Sequence, residues 1–153
     1  MSATFTPTDA VDPCGVRFGA AVTSIVLAVA VAAESASLLA LQTLVFAIGA
    51  FSGPRWSPYS LIFAIALRPR LGPPKEWEPA RPPQFAQAVG LAFALVGTAG
   101  LALGAPTLGL VAAGLALVAA LLNAATGFCL GCEMYLLIRR FTHLKTHNTE
   151  VSI

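Results

Sequence analysis

The stretch QFAQAVGLAFALVGTAGLAL at residues 84–103, then GAPT, then LGLVAAGLALVAALLNAATGF at residues 108–128, decides the fold. Neither apolar part carries a charge, and each has the roughly 17–25 residues that cross a hydrocarbon core about 30 Å thick. Gly104 and Pro106 between them end one helix and begin the next. Working outward, the composition agrees: 57% of residues are hydrophobic, 10% are charged and the mean hydropathy is +0.79. A soluble domain carries roughly 25% charged residues, so this chain cannot cover a water-facing surface. Its partner is a lipid bilayer, and at this length one domain is expected.

Two further apolar stretches precede this pair. With them, spans are expected at about 16–33, 37–53, 84–103 and 107–128, the second being short for a crossing. Glu34-Ser35-Ala36 forms a polar hinge between the first two, so both pairs read as tight helical hairpins. Between the hairpins lies FSGPRWSPYSLIFAIALRPRLGPPKEWEPARPP, rich in proline and charge. Its apolar part is too short to cross and is bounded by prolines, which predicts an interfacial helix at about 58–68. Trp56, Tyr59 and Trp77 suit the headgroup level, and residues 72–83 read as a proline-stiffened loop. The expected fold is thus an all-α integral membrane protein of four transmembrane helices in two hairpins, with a short interfacial helix after the second span.

Of the nine basic residues, Arg17 stands at the very start of the first span, and the others lie between the second and third spans or after the fourth. The positive-inside rule then places both termini and the central loop in the cytoplasm. The net charge of +2, scattered over short loops, is no nucleic-acid footprint. The N-terminus carries Asp9 and Asp12 where a secretory signal would be positive, so the first apolar segment is expected to stay in the mature protein. VRFGAAV at residues 16–22 echoes PQFAQAV at 83–89, and two hairpins entering from one side would form a parallel repeat. Dense small residues, such as Gly97, Gly100 and Gly109, suit close helix packing or a face for a homo-oligomer.

Chemistry concentrates in GFCLGCEMY at residues 127–135. Cys129 and Cys132 lie about one helical turn apart, and a cytosol-facing pair at this spacing suggests redox or metal work. At the C-terminus of a continuous helix the dipole would disfavour a thiolate. A break around Gly127 and Gly131 would instead start a second, amphipathic helix at EMYLLIRRF and set Cys132 at its N-terminus, where thiolate is favoured. Glu133 could accept a proton from Cys132 or cap that helix. His143 and His147 follow at a spacing near that of a zinc site, so Cys129, Cys132, His143 and His147 form an alternative metal set. Against it, residues 142–153 read as a disordered tail. Gln42 and Asn123 are polar within spans, and each is a natural partner for the other across the bundle. Cys14 lies on the cytoplasmic side and reads as a free interfacial cysteine or a resolving thiol. There is no P-loop, GxGxxG, HExxH or Ser/His/Asp constellation, and no cofactor is expected.

FAQAVGLAFALVG, LLNAATGFCLGCEMYLL, ALQTLVFAIGAFSGPRWSPYS and DPCGVRFGA together extend over most of the chain. In these the sequence resembles the bacterial domain-of-unknown-function family number 4395. The resemblance implies a small integral membrane protein, with Cys129 and Cys132 matching the family's Cys-x-x-Cys; together with the spans and the basic residues, the expected location is the bacterial cytoplasmic membrane, multi-pass, with both termini cytoplasmic. The resemblance also implies an association in gene neighbourhoods with thioredoxin-like or sulfurtransferase (rhodanese-like) proteins, and a residue other than cysteine at the position of Cys14. The expected function is thiol or sulfur handling by the pair with such a soluble partner. The alternatives are a non-catalytic docking subunit working through the proline-rich loop, and a transporter of a small solute.

Overall fold

The computed structural model describes residues 9–150, with side chains through residue 145. Short strands β1 (Ala10–Val11) and β2 (Glu78–Pro79) pair antiparallel, Ala10 against Pro79 and Val11 against Glu78. All else that is regular is helical: α1 (Pro13–Ala32), α2 (Ala36–Ser52), a 3₁₀ turn (Pro54–Trp56), α3 (Pro58–Ala66), α4 (Arg68–Leu71), α5 (Arg81–Ala102), α6 (Pro106–Thr126) and α7 (Leu130–Glu150).

Helix boundaries follow local chemistry. Asp12 caps α1 by accepting from the Cys14 amide at 2.9 Å, with Pro13 filling a first-turn position that needs no donor. Ser35 caps α2 by accepting from the Leu38 amide at 3.2 Å. Pro106 opens α6, and Gly127, at φ 76°, closes it in the left-handed region that glycine enters without steric cost.

α1, α5 and α6 are long and apolar enough to cross a membrane, whereas α2 is apolar but has 17 residues. At about 1.5 Å per residue, α2 is roughly 26 Å long, a few ångströms under the hydrocarbon thickness. α2 packs along α5, α1 along α6 and α5 along α6, with a lighter contact between α1 and α2. The core is narrow: Leu27, Ala30, Leu39 and Ala113 are fully buried, joined by Ala116. Ile25, Leu44, Leu115 and Val118, by contrast, point outward and are more than half exposed. Glycines let the backbones close in. A Cβ on Gly100 would lie 2.6 Å from the Gly109 backbone, a distance no side chain could hold.

The weak sequence echo corresponds to a duplicated arrangement. β1 leads into α1 as β2 leads into α5, and their pairing sets both helix starts at one end of the bundle. The turn after α1 is closed by Ser35 N–H to Ala30 O at 2.9 Å, and the turn after α5 by Ala105 N–H to Gly100 O at 2.8 Å. Arg17 of α1 donates to Ala124 O of α6, and Gln84 of α5 donates to Ala50 O of α2. Positive-φ glycines, Gly53 and Gly127, follow α2 and α6. The next helix in each half then folds back onto the first: the Phe18 and Phe63 rings meet at 5.6 Å, those of Phe85 and Tyr135 at 5.8 Å. Phe18 and Phe85 occupy the same place in the echoed strings, and Phe63 and Tyr135 the same place in α3 and α7.

The helix expected at about 58–68 is present as α3, Pro58–Ala66, and a separate turn of helix, α4, follows it because Pro69 has no amide to continue the ladder. One expectation is corrected. Residues 142–150 of the expected disordered tail belong to α7, since no Gly or Pro interrupts the chain after Gly131. Residues 151–153 lie outside the described ones.

Candidate functional site

The Cys129–Cys132 pair sits in the joint between α6 and α7. After Thr126, Gly127 turns the chain, its amide bonded to Asn123 O at 2.8 Å, and Thr126 Oγ1 accepts from the Phe128 amide at 3.2 Å. Cys129 immediately precedes α7, and its carbonyl takes the Glu133 amide at 3.0 Å, the first bond of the new helix. The break thus falls where the glycines suggested, but α7 begins earlier than Glu133. Cys132 lies in its first turn and Cys129 in the capping position.

Cys129 and Cys132 are joined as a disulfide with Cα atoms 5.2 Å apart, inside the usual range for such a bond. The Cys132 amide donates to Cys129 Sγ at 3.3 Å. That bond changes the expected assignment of roles. The sulfur that the helix N-terminus serves is that of Cys129, not Cys132, because a capping side chain receives the amides of the first turn. Both cysteines are half-buried, and Glu133 is exposed beside them.

Two neighbours fix this joint. Gly131 lies against α5, where a Cβ on it would fall 2.6 Å from both Cα and Cβ of Ala86, and the Tyr135 ring packs, tilted, against Phe85 one turn on. From the other side Arg17 of α1 reaches the end of α6, its Nη2 3.2 Å from Ala124 O and 3.4 Å from Ala125 O. The same side chain covers Gly127, with Cδ and Nε within 3.8 Å of where a Cβ would stand.

The alternative metal set is not assembled. α7 is unbroken from Leu130, which carries His143 about 16 Å along the axis from Cys132. Among the described residues no group of three or more His, Cys, Asp or Glu could hold a metal ion. The side chain of His147 lies outside the described residues. Cys14 is an exposed free cysteine in the first turn of α1.

The expected pairing of Gln42 with Asn123 is also corrected. Gln42 is fully buried, accepts from the Tyr59 hydroxyl at 2.7 Å and donates to Thr23 Oγ1 at 3.5 Å. α2 and α6 run the same way, and Gln42 lies in the second turn of α2 while Asn123 is in the last turn of α6, so the two stand at different depths, on the order of 10 Å or more apart along the axis. Burial pushes the Tyr59 hydroxyl above the ordinary tyrosine value, which keeps it a donor. Sequence reasoning missed Tyr59 as the partner of Gln42 and Arg17 as the clasp on α6. The second was within reach, since Arg17 and Gln84 hold equivalent places in the echoed strings.

Fold and site together define an all-helical protein with helices able to cross a membrane and a paired-cysteine joint at the start of its last helix. The chain matches the model of the family described as Domain of unknown function (DUF4395) over residues 11–140, and it belongs to that family. Comparison with curated proteins and with solved structures gave no match.

Proposed function

We propose that the protein is a multi-pass component of the bacterial cytoplasmic membrane that exchanges electrons or sulfur through Cys129 and Cys132 with a soluble thioredoxin-like or rhodanese-like partner. α1, α2, α5 and α6 cross as two hairpins, with both termini and the central segment cytoplasmic; the distribution of basic residues supports that orientation. One observation carries the chemical reading: a half-buried Cys-x-x-Cys disulfide whose first sulfur caps a helix.

In the reducing direction, the Cys129 thiolate attacks one sulfur of a partner disulfide. A new S–S bond forms, the partner's own S–S bond breaks, and its second sulfur leaves as a thiolate. Cys132 then gives its proton to solvent and attacks Cys129, restoring the intramolecular disulfide and releasing the partner as a dithiol. Two electrons pass to the partner, and a second dithiol running the same steps in reverse supplies them.

Cysteine-to-serine variants separate the roles. Cys132→Ser should trap the mixed disulfide with a thioredoxin-like partner, because the resolving thiol is gone, and Cys129→Ser should trap nothing. If neither variant captures the partner, and mass-tagging of both thiols in the wild type is unchanged from mildly oxidising to strongly reducing buffer, the redox reading is wrong.

A further inference from the structure

We propose that Arg17 is a positioning residue that makes the reduced pair reactive by neutralising the C-terminal end of α6. This inference rests on the reading of Cys129 and Cys132 as a working dithiol. The pair stands between two opposed fields. The end of α6 carries unsatisfied carbonyls equivalent to about half a negative charge, and the start of α7 about half a positive one. The first opposes a thiolate and the second favours it, so the balance decides whether the pair is reactive at neutral pH.

Arg17 settles that balance. Its guanidinium donates to Ala124 O and Ala125 O, two of the carbonyls that make the end of α6 negative, and its side chain lies over Gly127. Duplication supplies a built-in comparison. In the other half Gln84 makes the matching bond, 2.8 Å to Ala50 O, without a charge. An uncharged amide therefore suffices to clasp the helices. What arginine adds is a positive charge, and it adds it in the half that holds sulfur: Ser57 and Ser60 stand where the other half has Cys129 and Cys132.

Near the pair itself the other charged or titratable groups are few. Asp12 and Cys14 lie at the start of α1, Arg81 at the start of α5, and Glu133 and Tyr135 on α7 near the pair, with Arg139, Arg140, His143 and Lys145 about two turns or more farther along α7, while α6 has none. Glu133, adjacent in sequence to Cys132, opposes a thiolate, which gives a compensating cation more to do.

The test is the pH profile of alkylation of the reduced full-length protein in lipid nanodiscs, with iodoacetamide as probe and labelling at each cysteine read by mass spectrometry. Arg17→Gln copies the clasp that the other half already uses, so the helices stay joined and only the charge is lost. Labelling of Cys129 at neutral pH should then fall about threefold to tenfold, with the profile moved to higher pH. Arg17→Lys should keep a profile close to that of the wild type. An Arg17→Gln profile that superimposes on the wild type overturns the proposal. If Arg17→Gln does not fold, the lysine variant decides alone: retained reactivity supports the proposal, and loss of it overturns it. A wild-type pair that labels readily at neutral pH yet never exchanges with a dithiol partner sinks the redox reading and leaves the role of Arg17 standing.

Discussion

Gly131→Ala tests whether α7 is seated on α5 by the absence of a side chain. In an ordinary helix the change is favourable, since alanine outranks glycine by about 1 kcal/mol in helix propensity. At Gly131 the new methyl would stand 2.6 Å from both Cα and Cβ of Ala86, more than an ångström inside normal carbon contact. One of its neighbours is backbone and cannot turn away, so the start of α7 must lift off α5 at a cost of about 1–3 kcal/mol. Gly114→Ala in α6 is the internal control, because nothing lies within 4 Å of its added methyl and only the propensity gain remains. Unfolding in mixed micelles by graded SDS, followed by circular dichroism, should place Gly131→Ala about 1–3 kcal/mol below Gly114→Ala, a difference in which propensity cancels. Cys132 should also become easier to alkylate after reduction, since α7 has lost its seat. Equal stability of the two variants would refute the reasoning.

The duplicated arrangement predicts that Ser57→Cys with Ser60→Cys, in a chain whose native cysteines are serine, forms an intramolecular disulfide at the start of α3; mass-tagging that finds two free thiols under mild oxidant would count against it. Tyr59→Phe leaves the buried Gln42 carbonyl without its 2.7 Å donor and should destabilise the protein by about 1–2 kcal/mol in the same SDS assay. A loss no larger than a few tenths would mean that water replaces the hydroxyl. For the proposed topology, a single cysteine at Ser35 or Thr107 should react with an impermeant maleimide on intact cells, and labelling only after lysis would reverse the orientation.

Much of the backbone was legible because its signals are local. Gly104, Pro106, Pro58 and Gly127 each act within a turn of the chain, and the helix ends fall where they stand. Features set by distant residues were not. The two residues of β1 find their partners in a segment that reads as an irregular proline loop, and no local pattern announces such a pair. Gln42 invited a match with the other deep polar side chain, but depth along the helix, not polarity, decides who meets whom. α7 ran on through residue 150 because the polar run 142–150, read as part of a disordered tail, contains nothing that breaks a helix. The pair itself was found by spacing, while the assignment of the capping role to Cys129 needed the starting residue of α7, which sequence places only to within a few positions.

The disulfide closes a ring of only four residues, all within one joint, at a sequence separation of 3. Crosslinks stabilise mainly by limiting the unfolded chain, and the effect grows with the length enclosed, so this one restrains very little. It ties no helix to another; Gly131 against Ala86, Tyr135 on Phe85 and the Arg17 clasp do that independently. Opening and closing the bond can therefore run as a cycle with the bundle as a fixed mount, like a switch whose contacts move while its housing does not.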